Sequence, residues 1–187
     1  MAFVRTTLFI LTGFLLFTNY LSAQQKITNY TNLWKKVDSL SLKKGLTQSA
    51  LEEVNKIYAL AKKEKQDAQV IKALIYKMGL QDTKEDDEDI KSIIILENEI
   101  KTSIEPAKSI LYSLLADKYN SYYINNSFEL RDRTKTSNFK KEDIATWSVD
   151  DFQNKIVESY LSSIKNEKLL QQTKLEPFDQ VITKGNA

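Results

Sequence analysis

The chain of 187 residues contains no cysteine and no histidine. It therefore has no thiol nucleophile, no imidazole base, no Ser-His-Asp triad and no ordinary zinc site, which excludes most hydrolase mechanisms. Disulfides are excluded too, so packing alone must stabilise the fold. Two Ser-x-x-Lys matches occur, Ser41 to Lys44 and Ser162 to Lys165, but the other motifs of that enzyme class are missing. We predict that the protein is not an enzyme and holds no cofactor.

Neither sign of charge is in large excess, because 27 basic and 25 acidic residues leave a net charge of +2. Nucleic-acid-binding proteins normally carry a clustered basic excess, so no nucleic-acid partner is expected. The one strong charge run, from Asp82 to Asp89, lacks the glycine and the spaced terminal glutamate of a calcium loop. Acidic residues at the start of a helix interact favourably with the helix dipole. We favour that interpretation over a metal site.

Long apolar runs are also rare, and the clearest one lies near the start of the chain, from Leu8 to Phe17. It follows Arg5 and precedes the small residues Ser22 and Ala23, which is the pattern of a secretory signal peptide. The run is short for a bilayer-spanning helix, so no permanent membrane span is expected. We predict that residues 1–23 are cleaved off near Ala23 and that the protein is exported, to the periplasm or beyond the cell.

Glycine and proline are scarce, with four and two residues in the whole chain, while Leu, Ile, Ala, Lys and Glu recur at helical spacing. This pattern predicts an all-α fold. We expect a helical domain over residues 24–165, in which antiparallel helical hairpins stack into a repeat-like, solenoid-like bundle. The expected helices cover about 31–43, 47–65, 67–78, a segment from the acidic run to 100, 106–124, 148–164 and a short turn at 167–172.

Local signals predict where several of these helices begin and end. Gly45 is expected as a left-handed cap after the first helix, and Thr47 as the N-cap of the second. The third helix is expected to close at Gly79. Pro106 is expected at the first position of its helix, and Ser148 as the N-cap of the last long helix.

The last long helix carries apolar residues at helical spacing. Trp147 is expected to pack against Phe152 across the first turn, as a hydrophobic staple. The rest of the helix is predicted to form one buried stripe. Its members are Ile156, Val157, Tyr160, Leu161 and Ile164.

Three tyrosines, Tyr119, Tyr122 and Tyr123, are candidate contacts for a partner. They lie on the helix that is expected to form the centre of the core. In one interpretation they contact a peptide in a groove between hairpins. In the other they pack in the core with their hydroxyl groups at its edge, and their helical spacing favours this second interpretation.

Residues 125–146 lack helical periodicity and are predicted to form a long surface loop. Arg131 and Arg133 in this segment are candidate contacts for an anionic partner. Glu129 and Asp132 can equally pair with them locally, and we favour that solvated interpretation.

Residues 166–187 are predicted to hold a short helix and a C-terminal tail. An apolar segment at 178–182 follows Pro177 with no closing element after it. We interpret this tail as a connection to further domains, so that the chain would be one part of a longer protein; a frayed terminus is the alternative.

Several segments resemble the N-terminal helical region of large secreted bacterial proteins of the alpha-2-macroglobulin family. The matching pieces follow in the same order along nearly the whole mature chain and consist of packing and capping residues. They include WKKVDSL at 34–40, KGLTQSALEEV at 44–54, QVIKALIY at 69–76, PAKSIL at 106–111 and DIATW at 143–147.

The resemblance implies a part in protease trapping, in which a protease cuts a bait segment and β-sandwich domains collapse around it. In many members a Cys-Gly-Glu-Gln thioester then captures the protease. This chain has no cysteine, and no run of alternating strands is evident, so no functional residue of the family can be carried over. The expected function is a non-catalytic, non-inhibitory module whose partners are the remaining domains and, through them, target proteases. The alternative is a stand-alone exported helical adaptor that binds a peptide or a protein.

Overall fold

The computed structural model describes residues 28–81, 88–131 and 143–182, and within these ranges the chain forms helices and no strand. The predicted all-α fold is therefore confirmed for the described residues. The long helices are α1 (Tyr30–Asp38), α2 (Thr47–Glu64), α3 (Asp67–Gln81), α4 (Glu88–Thr102), α5 (Ala107–Asn125) and α7 (Val149–Ser163). Shorter elements are α6 (Ser127–Arg131), α8 (Glu167–Gln172), a π-helical turn at Ser39–Lys43 and 3-10 turns at Ile144–Thr146 and Glu176–Phe178. The predicted signal peptide at 1–23 lies outside the described residues.

Two predicted helix ends are confirmed. Gly45 adopts a left-handed conformation with φ +64°, and the Leu46 amide then donates to the Leu40 carbonyl oxygen at 2.8 Å. This bond closes the π-helical turn after α1 and reverses the chain into α2. At α7, the Ser148 side chain accepts from the Asp151 amide while Asp151 accepts from the Ser148 amide, which forms a capping box.

Three predicted helix ends are wrong. Leu46 and not Thr47 is the N-cap of α2, and it makes no side-chain capping bond. Pro106 is the N-cap of α5 and not its first helical residue. Helix α3 continues through Gly79 to Gln81, because Leu80 packs against the core and a single helical glycine costs only about 1 kcal/mol.

The predicted loop at 125–146 is partly helical, so that prediction is wrong for its two ends. Residues 127–131 form α6, whose Leu130 is fully buried, and residues 144–146 form a 3-10 turn around buried Ile144. Each of these apolar side chains enters the core on a single helical turn, which is too short to produce the periodicity that predicts a helix.

Neighbouring long helices pack against each other in antiparallel pairs. The start of α1 contacts the end of α2, where the Tyr30 hydroxyl donates to Glu64 Oε2 at 2.8 Å. Helix α5 packs most extensively on α7. Tyr122 stacks on Phe152 near one end of this contact. Near the other end, the Asn166 side-chain amide donates to Glu105 Oε1 at 2.7 Å.

Tyrosine and glutamate side chains join the helices across the core. Between α2 and α4, the Tyr58 hydroxyl donates to Glu99 at 2.5 Å. Between α4 and α5, the Tyr119 hydroxyl donates to Glu97 at 2.6 Å. The core that these contacts surround contains, among others, Val37, Val54, Ile71, Ile93, Leu96, Leu111, Tyr119, Leu130 and Phe152.

Candidate interaction surface

Helix α7 has two apolar faces, and only one of them is covered. On its inner face Phe152 is fully buried and Ile156 packs against the core. Phe152 stacks on Tyr122 at 5.1 Å between ring centroids and contacts Trp147 at 5.2 Å. The second contact confirms the predicted staple between Trp147 and Phe152.

The other apolar face of α7 is exposed to solvent, and we call its four residues the α7 outer face. They are Val157, Tyr160, Leu161 and Ile164, with exposed fractions of 56%, 43%, 60% and 63%. The predicted buried stripe is therefore wrong for these four residues. The reason is that the described chain supplies one long neighbour for α7, the antiparallel α5, and the inner-face side chains already fill that contact.

The α7 outer face is continuous along the helix. Val157, Tyr160 and Leu161 stand at spacings of three and four on one side of the helix, and Ile164 is the C-cap residue that directly follows it. Exposed Gln153 and Asn154 precede it. Lys155 and Glu158 pair with each other at 2.6 Å, so neither leaves an uncompensated charge beside the outer face. The surface is apolar along α7, and the exposed Lys165 follows it.

Helix α1, at the other end of the described chain, has only one apolar face. Its buried residues are Tyr30, Trp34 and Val37. Trp34 packs on Tyr76 of α3 at 4.8 Å, and its indole N–H donates to Gln69 at 2.7 Å. The outward positions of α1 are polar and exposed, and they are Thr31, Asn32, Lys35 and Lys36.

Two of the three candidate tyrosines lie in the core. Tyr119 is 1% exposed and Tyr122 is 6% exposed. Burial raises the pKa of Tyr119, and its hydrogen bond to Glu97 adds to that shift because the neutral hydroxyl is the donor. Tyr123 is half-buried against the same core. These positions are the ones that the core-packing interpretation predicts, although partner contact by these residues stays a prediction.

The candidate arginines lie elsewhere. Arg131 ends α6 at the surface, with its guanidinium 5.4 Å from the ring centroid of Phe128, which is itself 75% exposed. Arg133 lies outside the described residues. The structure therefore separates Arg131, on the surface, from the buried pair Tyr119 and Tyr122.

Sequence reasoning missed a charged cleft that lies between the end of α2, the start of α3, the end of α4 and the start of α5. A cavity of about 300 Å³ there is lined by Asp67, Glu99, Lys62 and Lys65 above an apolar floor. Glu99 is 6% exposed and accepts from the Lys62 ammonium at 2.8 Å. Burial raises the pKa of Asp67, Lys62 opposes that shift, and the Glu99 charge adds to it. The two carboxylates belong to different helices and form no sequence motif, so no local signal marks the cleft.

The Lys62 ammonium and the Glu99 carboxylate form an ion pair inside this cleft. Glu99 also accepts from the Tyr58 hydroxyl, so both of its carboxylate oxygens are used to hold α2 against α4. Among residues 28–81, 88–131 and 143–182, no three His, Cys, Asp or Glu side chains converge as a metal site would require. Of the acidic run from Asp82 to Asp89, residues 82–87 lie outside these ranges, and Glu88 and Asp89 begin α4.

Two further findings concern membrane crossing and similarity to known proteins. None of its described helices combines the length and the apolar character that crossing a membrane requires. Models of known protein families, curated proteins and solved structures all fail to match the chain.

Proposed function

We propose that this chain is the non-catalytic helical module of an exported protease inhibitor similar to the alpha-2-macroglobulin family. In this proposal the module presents or anchors the inhibitor and does not inhibit proteases alone. Its helical pairs form a repeat-like, solenoid-like stack, and its partners are the remaining domains of a larger chain. Export follows from the signal-peptide pattern at residues 1–23.

The observation that carries the proposal is the α7 outer face. Fully burying an exposed Val, Leu or Ile side chain contributes about 1.5–3 kcal/mol, and the four side chains of the α7 outer face, which are 43–63% exposed, leave about half of such a contribution each unused. Contiguous apolar patches on soluble proteins mark sites of interaction. A module that docks against further domains would bury such a face.

The resemblance to the family supplies the identity of those domains. It extends along nearly the whole mature chain and rests on packing and capping residues, several of which are buried here, including Trp34, Val54, Ile71, Leu111 and Trp147. A shared set of packing residues supports a shared helical module. It supports no catalytic role, because none of the matched residues belongs to a catalytic set.

The second candidate is a stand-alone exported adaptor, in which the α7 outer face binds a helical peptide from a separate partner. The same exposed face favours this candidate. The two proposals differ in the length of the native protein.

The test is to sequence the gene across the codon for Ala187 and to blot the exported fraction of the host with an antibody against residues 28–182. The module proposal expects a band far larger than 21.6 kDa, and protease inhibition by the full protein only. A band near the mass of the cleaved chain would overturn the module proposal and support the adaptor. Potent protease inhibition by the isolated chain would also contradict it.

A further inference from the structure

The charged cleft between α2, α3, α4 and α5 contains one carboxylate that the fold leaves without a partner. Glu99 accepts from the Lys62 ammonium and from the Tyr58 hydroxyl, so both of its oxygens are occupied. Asp67 lines the same cleft and is half-buried, but it accepts no hydrogen bond from the described residues. A carboxylate that loses water without gaining a hydrogen bond is destabilised. Burial accordingly raises the pKa of Asp67.

The other charges of the cleft do not compensate Asp67. Lys62 is paired with Glu99, and its attraction for Asp67 is smaller than the effect of burial. Lys65 is exposed, so its ammonium group keeps its water. Helices α2 and α4 end at the cleft while α3 and α5 begin there, so their dipoles oppose one another. The missing group is therefore a cation that contacts Asp67.

Apolar side chains lie beside this carboxylate. Val70, Ile71 and Leu111 form a buried floor, and Ile104, which also lines the cleft, is 73% exposed. The cavity has a volume of about 300 Å³, at the lower end of the range of about 300–1,000 Å³ that is typical of small-molecule sites. A ligand that fits these surroundings is small and combines one positive charge with an apolar part.

We propose that this cleft binds a primary ammonium group carried on a short aliphatic chain, with the ammonium at Asp67 and the chain on the apolar floor. An ammonium group has three donors. Asp67 accepts from one of them. Thr102 and Ser103 donate their hydroxyl protons to the Glu99 carbonyl oxygen, which leaves their oxygen lone pairs for the others. All of these residues belong to the described chain, so the site does not depend on the proposed function.

Other charged ligands fit the cleft less well. A guanidinium group has five donors in a planar fork, which is more than one free carboxylate and two hydroxyl groups satisfy. A metal ion needs several ligating side chains, and no three His, Cys, Asp or Glu converge in the described part of the chain. An anion would be repelled by Asp67.

The test is a titration of the isotope-labelled 187-residue chain, followed by the NMR signals of its backbone amides. The ligands are pentylamine, pentanol and pentanoate, which share an aliphatic chain and differ in charge. Pentylamine is expected to bind with a dissociation constant on the order of 1 mM. Pentanol should bind about tenfold more weakly, because it makes no charge-assisted hydrogen bond with Asp67.

The position of the affected signals locates the site. The largest shifts with pentylamine are expected at Asp67, Ser103 and Ala107, which line the cleft on three different sides. Shifts confined to the α7 outer face would overturn the inference, because they would show binding to an exposed apolar surface alone. Pentanoate that binds as tightly as pentylamine would overturn it too, since Asp67 would then not select the charge.

Asp67→Asn keeps the size of the side chain and removes its charge. This variant is expected to bind pentylamine about tenfold more weakly and pentanol unchanged. The matched control Glu52→Gln removes an exposed carboxylate of α2 and should bind both ligands as the wild type does. Unchanged affinity of Asp67→Asn for pentylamine would overturn the inference. If Asp67→Asn lowers the helical circular dichroism signal, the wild-type comparison of pentylamine with pentanol decides.

A primary ammonium group has two sources, a free aliphatic amine and the side chain of a lysine in a peptide. The amide of acetyl-lysine distinguishes them, because it carries the lysine side chain between two peptide bonds. Shifts at the same residues with both probes would support a cleft that accepts a peptide lysine, and shifts with pentylamine alone would support a free amine. The absence of shifts with either probe at about 10 mM would overturn the inference.

Discussion

Helices α1 and α7 are the first and the last long helices of the described residues, and both are amphipathic. Helix α1 has one apolar face, formed by Tyr30, Trp34 and Val37, and all three residues are buried. Helix α7 has an inner face that packs on α5 and a second apolar face that is exposed. A single apolar face matches a helix that ends a stack, whereas two apolar faces match a helix that lies within one. The difference shows that the described chain covers the apolar face of α1 and leaves one apolar face of α7 exposed.

The largest effect is expected for the inner face of α7. Phe152→Ala removes a fully buried ring that stacks on Tyr122 and contacts Trp147, and it should lower the free energy of unfolding by about 3–5 kcal/mol. Urea unfolding followed by circular dichroism measures this loss. Trp34→Ala is the counterpart in α1 and is expected to have an effect of the same size. A loss below about 1 kcal/mol at Phe152 would mean that α7 is not held by its inner face.

The next largest effect on stability is expected from the N-caps of α1 and α7. Ser148 and Asp151 satisfy two amide groups at the start of α7, whereas Asn29 accepts from one, the Thr31 amide at 3.0 Å, at the start of α1. Ser148→Ala is expected to cost about 1–2 kcal/mol and Asn29→Ala about 0.5–1 kcal/mol. Thermal unfolding of both variants checks this order. The reverse order would contradict the assignment of the capping box.

A smaller, pH-dependent effect is expected at the α1 end. The hydrogen bond from the Thr28 hydroxyl does most to hold the pKa of Glu64 below its ordinary value of 4.5; burial opposes this shift, and the hydrogen bonds from the Tyr30 hydroxyl and the Thr28 amide add to it. A carboxyl whose pKa is lowered by folding contributes stability above its unfolded pKa and loses it as the pH falls through the folded pKa. Glu64→Gln should therefore unfold more easily than the wild type near neutral pH.

The difference between these two proteins should shrink below pH 4.5, because the Glu64 carboxyl of the wild type then takes up a proton. Unfolding midpoints measured at several pH values test this expectation. A difference that stays constant down to the lowest pH would show that the charge of Glu64 does not hold the start of α1. Glu52→Gln, on an exposed residue of the same helix, controls for the general effect of removing a carboxylate charge.

The smallest effect on stability is expected on the α7 outer face. Leu161→Ala removes a side chain that is 60% exposed, so the unfolding free energy of the 187-residue chain should change by less than about 0.5 kcal/mol. Comparing its unfolding free energy with that of Phe152→Ala would show that the inner face of α7, and not the outer face, stabilises the isolated chain. A loss of several kcal/mol at Leu161 would mean that the outer face is covered in the isolated chain.

Much of the fold could be predicted from the sequence, because its signals are local. The positive φ at Gly45, the capping box at Ser148 and the staple between Trp147 and Phe152 each involve residues at most five positions apart. One of the errors has a tertiary cause and another has a local cause. Leu80 packs against the core and carries α3 past Gly79, and α6 is too short to show a helical period.

Local sequence signals could not predict which apolar face of α7 is exposed. Helical spacing predicts that α7 has apolar positions, and it placed Ile156 and Leu161 in the same stripe. Only packing on α5 distinguishes them, since Ile156 faces the core and Leu161 faces solvent. The cleft at Glu99 also depends on packing, because its carboxylate meets Lys62 and Tyr58 from a helix 37 and 41 residues away.

The sequence by itself determined the helical class, the left-handed cap at Gly45, the capping box at Ser148, and the absence of thiol and imidazole chemistry. These are properties of residue types and of spacings within a few turns. Only the tertiary structure decided which apolar face of each helix is covered, which tyrosines lie in the core and which carboxylate is buried. Those outcomes depend on which neighbours each helix has, and that is a relation between segments distant in the chain.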